Sequence, residues 1–152
     1  MKLSYKVISA LQGKTLATAE SCTGGGIGAV LTAVPGSSKI YKGGIISYTN
    51  EVKMKLLAVD ENVLNDDGAV SGKVAEMMAI GARKALNADV SISVTGLAGP
   101  DGDSYGNPVG TVYIGYADHK TTLSRCFHFE GDREAVRSQA IIAALEIILR
   151  NN

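Results

Sequence analysis

Between residues 15 and 28 a short apolar run ends in Glu20-Ser21-Cys22-Thr23, and Gly24, Gly25 and Gly26 follow at once. A hydroxyl or thiol on a tight strand-to-helix turn can attack an electrophilic carbonyl while nearby backbone N–H groups hold the oxygen that becomes negative. Glycine allows such a turn to take positive φ or to approach a ligand closely. The spacing predicts a helix beginning near Thr23, with its first unpaired N–H groups beside Ser21 and Cys22 and open to a phosphate or an oxyanion. Cys22 competes with Ser21 as nucleophile, since a thiol at a helix N-terminus can become a reactive thiolate.

A second reactive group stands at Tyr48-Thr49-Asn50, with Lys53 one helical turn on, and Thr95-Gly96 ends a third apolar run. No histidine is suitably placed. A lysine of depressed pKa can then act as the base that activates a serine hydroxyl, with a tyrosine relaying or orienting the proton. Ser21, Tyr48 and Lys53 are the candidate catalytic residues, and Thr23, Gly24, Gly25, Asn50, Thr95, Gly96 and Arg133 the candidate substrate-binding ones. Arg133 opens the last helix, where N–H groups and a guanidinium fork both suit an anion such as a substrate phosphate; Arg137 lies on the same face four residues on.

Other chemistries fit less well. Gly24-x-Gly26-x-x-Ala29 has the form of a dinucleotide fingerprint, but the next strand ends in Ser47-Tyr48-Thr49-Asn50 without the acidic residue that a ribose requires. No Walker loop occurs. His119 and His128 stand apart from ligands at zinc-like spacing, and Cys126-Phe127-His128 offers only two donors. The expectation is no metal and no cofactor.

The elements that must position these residues alternate. Leu3, Val7, Ile8 and Leu11 predict a helix over 3–12, followed by a strand over 15–19, a small-residue helix over 24–33 stopped by Pro35-Gly36, and a strand over 43–48. Asn50 is expected to cap a helix reaching Leu57, residues 60–70 to be polar turns, and Ser71 to cap a helix over 71–86. Val90, Ile92 and Val94 alternate with serines in a strand over 89–95. The thirteen residues 96–108, with four glycines and two prolines, are long for a connection and are expected to form a binding loop. Strands over 109–117 and 121–130 should form a hairpin, and a final amphipathic helix runs from residues 131–133 to the end. This order implies one three-layer α/β/α domain on a mixed, largely parallel sheet with a C-terminal antiparallel hairpin. Right-handed crossovers would gather the ends of the first three strands on one edge, the edge where open α/β sheets bind ligands.

At 152 residues the chain suffices for one core, and its 15 basic and 15 acidic side chains balance. That balance, with low aromatic content and no tryptophan, argues against nucleic acid. With neither a secretory segment nor a membrane-length apolar run, the expected setting is cytoplasmic, without membrane association. The cleft is expected to take a small molecule, and the sequence leaves a homo-oligomer open.

Several motifs, in order and over almost the whole chain, resemble the C-terminal domain of the CinA family, the competence-damage-inducible proteins. They are Thr18-Ala-Glu-Ser-Cys-Thr-Gly-Gly25, Pro35-Gly-Ser-Ser38, Ser47-Tyr-Thr-Asn-Glu-x-Lys53, Gly68-Ala-Val-Ser71, Thr95-Gly-x-Ala-Gly-Pro100, Pro108-Val-Gly-Thr-Val112 and Gly131-Asp-Arg133. The resemblance implies a nicotinamide mononucleotide deamidase in pyridine nucleotide salvage, which forms nicotinic acid mononucleotide and ammonia. It places the family's nucleophile on Ser21, its tyrosine and lysine on Tyr48 and Lys53, and further site residues on Thr95 and Arg133. Larger members carry an additional N-terminal nucleotide-processing domain, whose activity does not transfer to these residues. After Ser71 the family pattern leads one to expect an acidic residue, where this chain has Gly72-Lys73. The competing class is a non-catalytic nucleotide-binding or partner-binding module that keeps the cleft without turnover.

Overall fold

The computed structural model describes residues 2–152, and its centre is a five-stranded sheet in the order β2-β1-β3-β4-β5. The strands are β1 (Leu16–Glu20), β2 (Tyr41–Ile46), β3 (Val90–Gly96), β4 (Thr111–Ala117) and β5 (Thr122–His128). β1 pairs in parallel with β2 on one side and β3 on the other, while β4 and β5 form the antiparallel hairpin that completes the sheet. The helices are α1 (Leu3–Ala10), α2 (Gly26–Thr32), α3 (Asn50–Leu57), α4 (Glu61–Asp67), α5 (Gly72–Ala85) and α6 (Arg133–Arg150).

Period-two alternation divides the side chains between two apolar layers. Val90, Ile92 and Val94 of β3 pack with Val7, Ile27, Leu31, Val136, Ala140 and Ile148 of α1, α2 and α6. On the other face Ala17 and Ala19 of β1 pack with Leu57, Leu64, Val74, Met78 and Ala82 of α3, α4 and α5. Burying one such large aliphatic side chain contributes about 1.5–3 kcal/mol. The intervening β3 residues explain the serine alternation, because Ser91 and Ser93 donate to the Ala79 and Ala75 carbonyls of α5 and Thr95 donates to Ala69 O. Three buried hydroxyls thus lock α5, and the segment leading into it, onto the sheet.

Four expectations change. Residues 60–70 are not all turn: Asp60 accepts from Asn62 N and starts α4. β2 lies two residues earlier than expected, leaving Ser47 and Tyr48 beyond its end, although Ser47 N still extends the ladder by donating to Glu20 O. The cap of α3 is Thr49, whose hydroxyl accepts from Val52 N, so Asn50 is the first helical residue rather than the cap. α2 begins at Gly26, not near Thr23. Ser71 caps α5 as expected, with Gly72-Lys73 in its first turn.

Candidate active site

Ser21 is the first residue past β1, and its N–H donates to Val94 O at 3.0 Å, which keys it to the seam between β1 and β3. The chain then folds back. Gly24 N donates to Ser21 O at 3.0 Å and Gly26 N to Thr23 O at 2.9 Å. Gly24 and Gly25 take φ of +59° and +100°, the left-handed region that only glycine enters without strain. Glu20 shapes this turn from within. Its buried carboxylate accepts from the Thr23 hydroxyl at 2.7 Å and from the α2 amides of Ile27 and Gly28 at 2.9 and 3.0 Å. The helix end expected to receive a substrate anion is therefore already capped by the protein's own carboxylate. The N–H groups of Cys22 and Thr23 remain; among the described residues no carbonyl or side-chain oxygen accepts from them.

Lys53 comes from the opposite layer. Thr49 starts α3 beside the end of β2, so one helical turn brings Lys53 back under Ser21 with 1% of its surface exposed. Its Nζ lies 3.1 Å from Ser21 Oγ, 2.8 Å from Ser47 O and 3.4 Å from Tyr48 O. Burial disfavours the ammonium and lowers its pKa from 10.5 to about 8, against a smaller opposing effect of Cys22. The neighbouring thiol moves the other way: burial pushes Cys22 up to about 11. A neutral lysine has two hydrogens and one lone pair. The two carbonyls can only accept, so they take the hydrogens and leave the lone pair for the Ser21 hydroxyl.

Ser21 and Lys53 open into a cleft of about 290 Å³ that Tyr48, Asn50, Thr95, Gly96 and Arg133 also line. Loop residues Leu97 to Gly99 and Asp101 close one side, and Ala69 and Val70 another. Seven of the residues expected from sequence thus share one site, formed where the ends of β1, β2 and β3 meet. Thr23, Gly24 and Gly25 lie behind it and do not line it. The Thr23 side chain is fully buried on Glu20, and the Thr95 hydroxyl is turned to Ala69 O. Tyr48 is 60% exposed, and its hydroxyl accepts from Arg133 Nη2 at 3.1 Å instead of bridging Lys53 and Ser21. Arg133 Nη1 also donates to Gly99 O at 2.6 Å, fastening the loop to the start of α6. The loop over 96–108, expected to be a binding loop, does line the cleft through Gly96 to Gly99 and Asp101; sequence reasoning missed the grip of Glu20, for which the acidic residue directly before Ser21 was the available signal.

The CinA C-terminal domain family model matches residues 2–151. A CinA-like protein from Citrifermentans bemidjiense is 48% identical over 138 residues, which cover 91% of this chain and 33% of that protein. A CinA-like protein from Synechocystis sp. is 46% identical over 142 residues, 91% of this chain and 34% of that protein. The chain spans about a third of the length of these curated relatives. Among solved structures, a competence-damaged protein (CinA) superfamily protein from Klebsiella pneumoniae superposes with a TM-score of 0.95 at 34% identity, covering 98% of this chain and 94% of that one. One from Escherichia coli does so with a TM-score of 0.92 at 39% identity, covering 99% and 86%. Sequence and backbone agree over nearly every residue of the α/β fold, and the chain belongs to the CinA C-terminal domain family.

Proposed function

We propose that the domain is an amidohydrolase that uses Ser21 as nucleophile and Lys53 as base, with nicotinamide mononucleotide as substrate. The observation that carries this reading is the buried amine 3.1 Å from Ser21 Oγ, its other hydrogens directed to the Ser47 and Tyr48 carbonyls. A solvated surface lysine has no reason to be arranged so; a general base does.

In the first half-reaction Ser21 Oγ bonds to the carboxamide carbon while its proton passes to Lys53 Nζ. The N–H group of Cys22, which lines the cleft beside Ser21, supplies a donor for the resulting oxyanion. Collapse breaks the C–N bond, Lys53 returns the proton to the departing nitrogen, and ammonia leaves. Water then attacks the Ser21 ester with Lys53 again as base, releasing nicotinic acid mononucleotide and restoring the hydroxyl. Tyr48 serves this chemistry through its backbone carbonyl on Lys53 and its hydroxyl on Arg133, a role different from proton relay.

The phosphate handle falls to Arg133. Its guanidinium lines the cleft at the first turn of α6 and keeps donor capacity beyond its bonds to Gly99 and Tyr48. Binding energy there positions a carboxamide that is remote from it. Arg133→Ala should lower kcat/KM for the mononucleotide more than about tenfold, roughly 1.4 kcal/mol, and leave nicotinamide riboside nearly unchanged. Equal losses on both would move Arg133 to the reacting centre.

Ammonia release from nicotinamide mononucleotide by the purified protein tests the whole reading, with Ser21→Ala as control. Release that persists in Ser21→Ala would remove the serine mechanism. Binding of the mononucleotide without release would favour the non-catalytic nucleotide-binding module.

A further inference from the structure

Arg137 does not line the cleft, yet it holds the outer side of the turn that carries Ser21. From the second turn of α6 its Nε donates to Cys22 O at 2.9 Å and its Nη2 to Thr23 O at 3.2 Å. One planar fork therefore grips the carbonyls of two consecutive peptides, a contact between residues 115 and 114 positions apart that local sequence could not form.

The grip has a geometric consequence. The cis peptide bond among the described residues is Gly99–Pro100, so the peptides after Cys22 and Thr23 are trans, and each N–H points opposite to its carbonyl. Drawing the Cys22 carbonyl towards α6 turns the Thr23 N–H away from α6. Drawing the Thr23 carbonyl the same way turns the Gly24 N–H back into the turn, where it meets Ser21 O at 3.0 Å. Glu20 holds the Thr23 side chain from the inner side. The Thr23 carbonyl also accepts from Gly26 N within the turn, whereas among the described residues the Cys22 carbonyl accepts from Arg137 alone, so the peptide after Cys22 depends on this grip.

We propose that Arg137 is a positioning residue of the Ser21 site. By fixing the peptides after Cys22 and Thr23, it holds the turn that carries Ser21 and so sets the placement of Ser21 Oγ against Lys53. The inference rests on the acyl-transfer reading for its kinetic consequence only. Because a guanidinium stays charged throughout the accessible pH range, the clamp does not titrate.

Two variants test it by two readouts. Arg137→Gln removes the charged fork, and Arg137→Lys keeps the charge as a point donor that cannot span both carbonyls in the same way. Arg137→Gln should lower kcat for ammonia release from nicotinamide mononucleotide about tenfold or more while KM moves less than about threefold. Arg137→Lys should recover part of that loss, and the pH at which activity falls off should stay where it is in the parent. Backbone hydrogen exchange over residues 21–25 should accelerate in both variants, with the C-terminal half of α6 unchanged. A folded Arg137→Gln protein with parental kcat, or with parental exchange over 21–25, would overturn the proposal. So would a rise in KM at constant kcat, which would place Arg137 on the substrate. If Arg137→Gln does not fold, Arg137→Lys carries both measurements. Absence of ammonia release from the parent protein would overturn the amidase reading alone, since exchange still decides the clamp.

Discussion

At Lys53 the count of hydrogens decides the chemistry. Charged, the amine has three donors for the oxygens of Ser21, Ser47 and Tyr48; neutral, it has two, and the vacant position faces Ser21. Burial brings the neutral form within reach by lowering the pKa to about 8. Since the protonated form cannot accept the serine proton, kcat/KM should fall about tenfold per pH unit below pH 8 and level off above it. A profile flat between pH 6 and 8 would remove Lys53 as the titrating base. Lys53→Met should leave less than about a thousandth of the activity, within the range general-base catalysis contributes. The same burial weighs against the neighbouring thiol, because it pushes the Cys22 pKa up to about 11 and leaves little thiolate at pH 7. Cys22→Ala should therefore keep most turnover while Ser21→Ala loses it, and the reverse pattern would exchange their roles.

At the scale of elements, the site depends on how closely α3 is held to α5. A Cβ on Gly81 of α5 would collide with the Leu57 carbonyl, the last residue of α3. Gly81→Ala should gain about 1 kcal/mol of helix propensity but lose more to the collision, a net destabilisation of about 1–2 kcal/mol. Because Lys53 rides on α3, kcat should fall as well; a more stable variant with parental kcat would show that α3 has room to retreat. The positions of Ser21 and Lys53 could be read beforehand, because an apolar run ending in glycines and a helix after a parallel strand are local patterns whose convergence follows from crossover handedness. The Val/Ser alternation of β3 and the hairpin were legible for the same reason. Other features depend on partners far along the chain. Glu61–Asp67 has only two apolar residues, and its last turn gains Tyr105, whose hydroxyl donates to Leu64 O and Asn65 O from the long loop. Gly43-Gly44 obscured the true start of β2 at Tyr41. The Tyr48 hydroxyl was expected near the nucleophile, but Arg133, brought by α6, binds it first.

For the molecule as a whole, a buried base must leave a mark on folding stability. Lys53 titrates near 8 when folded and near 10.5 when unfolded, so between those values the unfolded chain holds the extra proton and stability rises with pH. From pH 8 to 9 that gain is about 1 kcal/mol by linkage. Cys22 works in the opposite sense, since its folded pKa of about 11 exceeds its ordinary 9.0 and the folded state keeps a proton that the unfolded one loses. Its share over the same interval is about a third of the lysine's and negative. Above pH 10 the half-buried phenol of Tyr41 and the buried one of Tyr116, both raised by desolvation, add losses of the same sign as Cys22. The parent curve should therefore climb modestly from pH 8 to 9, flatten, and then fall. Subtracting the curve of Lys53→Met isolates the lysine: urea-unfolding free energies of parent minus variant should grow by about 1 kcal/mol between pH 8 and 9. A difference that stays constant over that interval would mean that Lys53 keeps its ordinary pKa in the folded protein. The amine beside Ser21 would then be charged at neutral pH, and the proton acceptor of the proposed reaction would have to be sought elsewhere in the cleft.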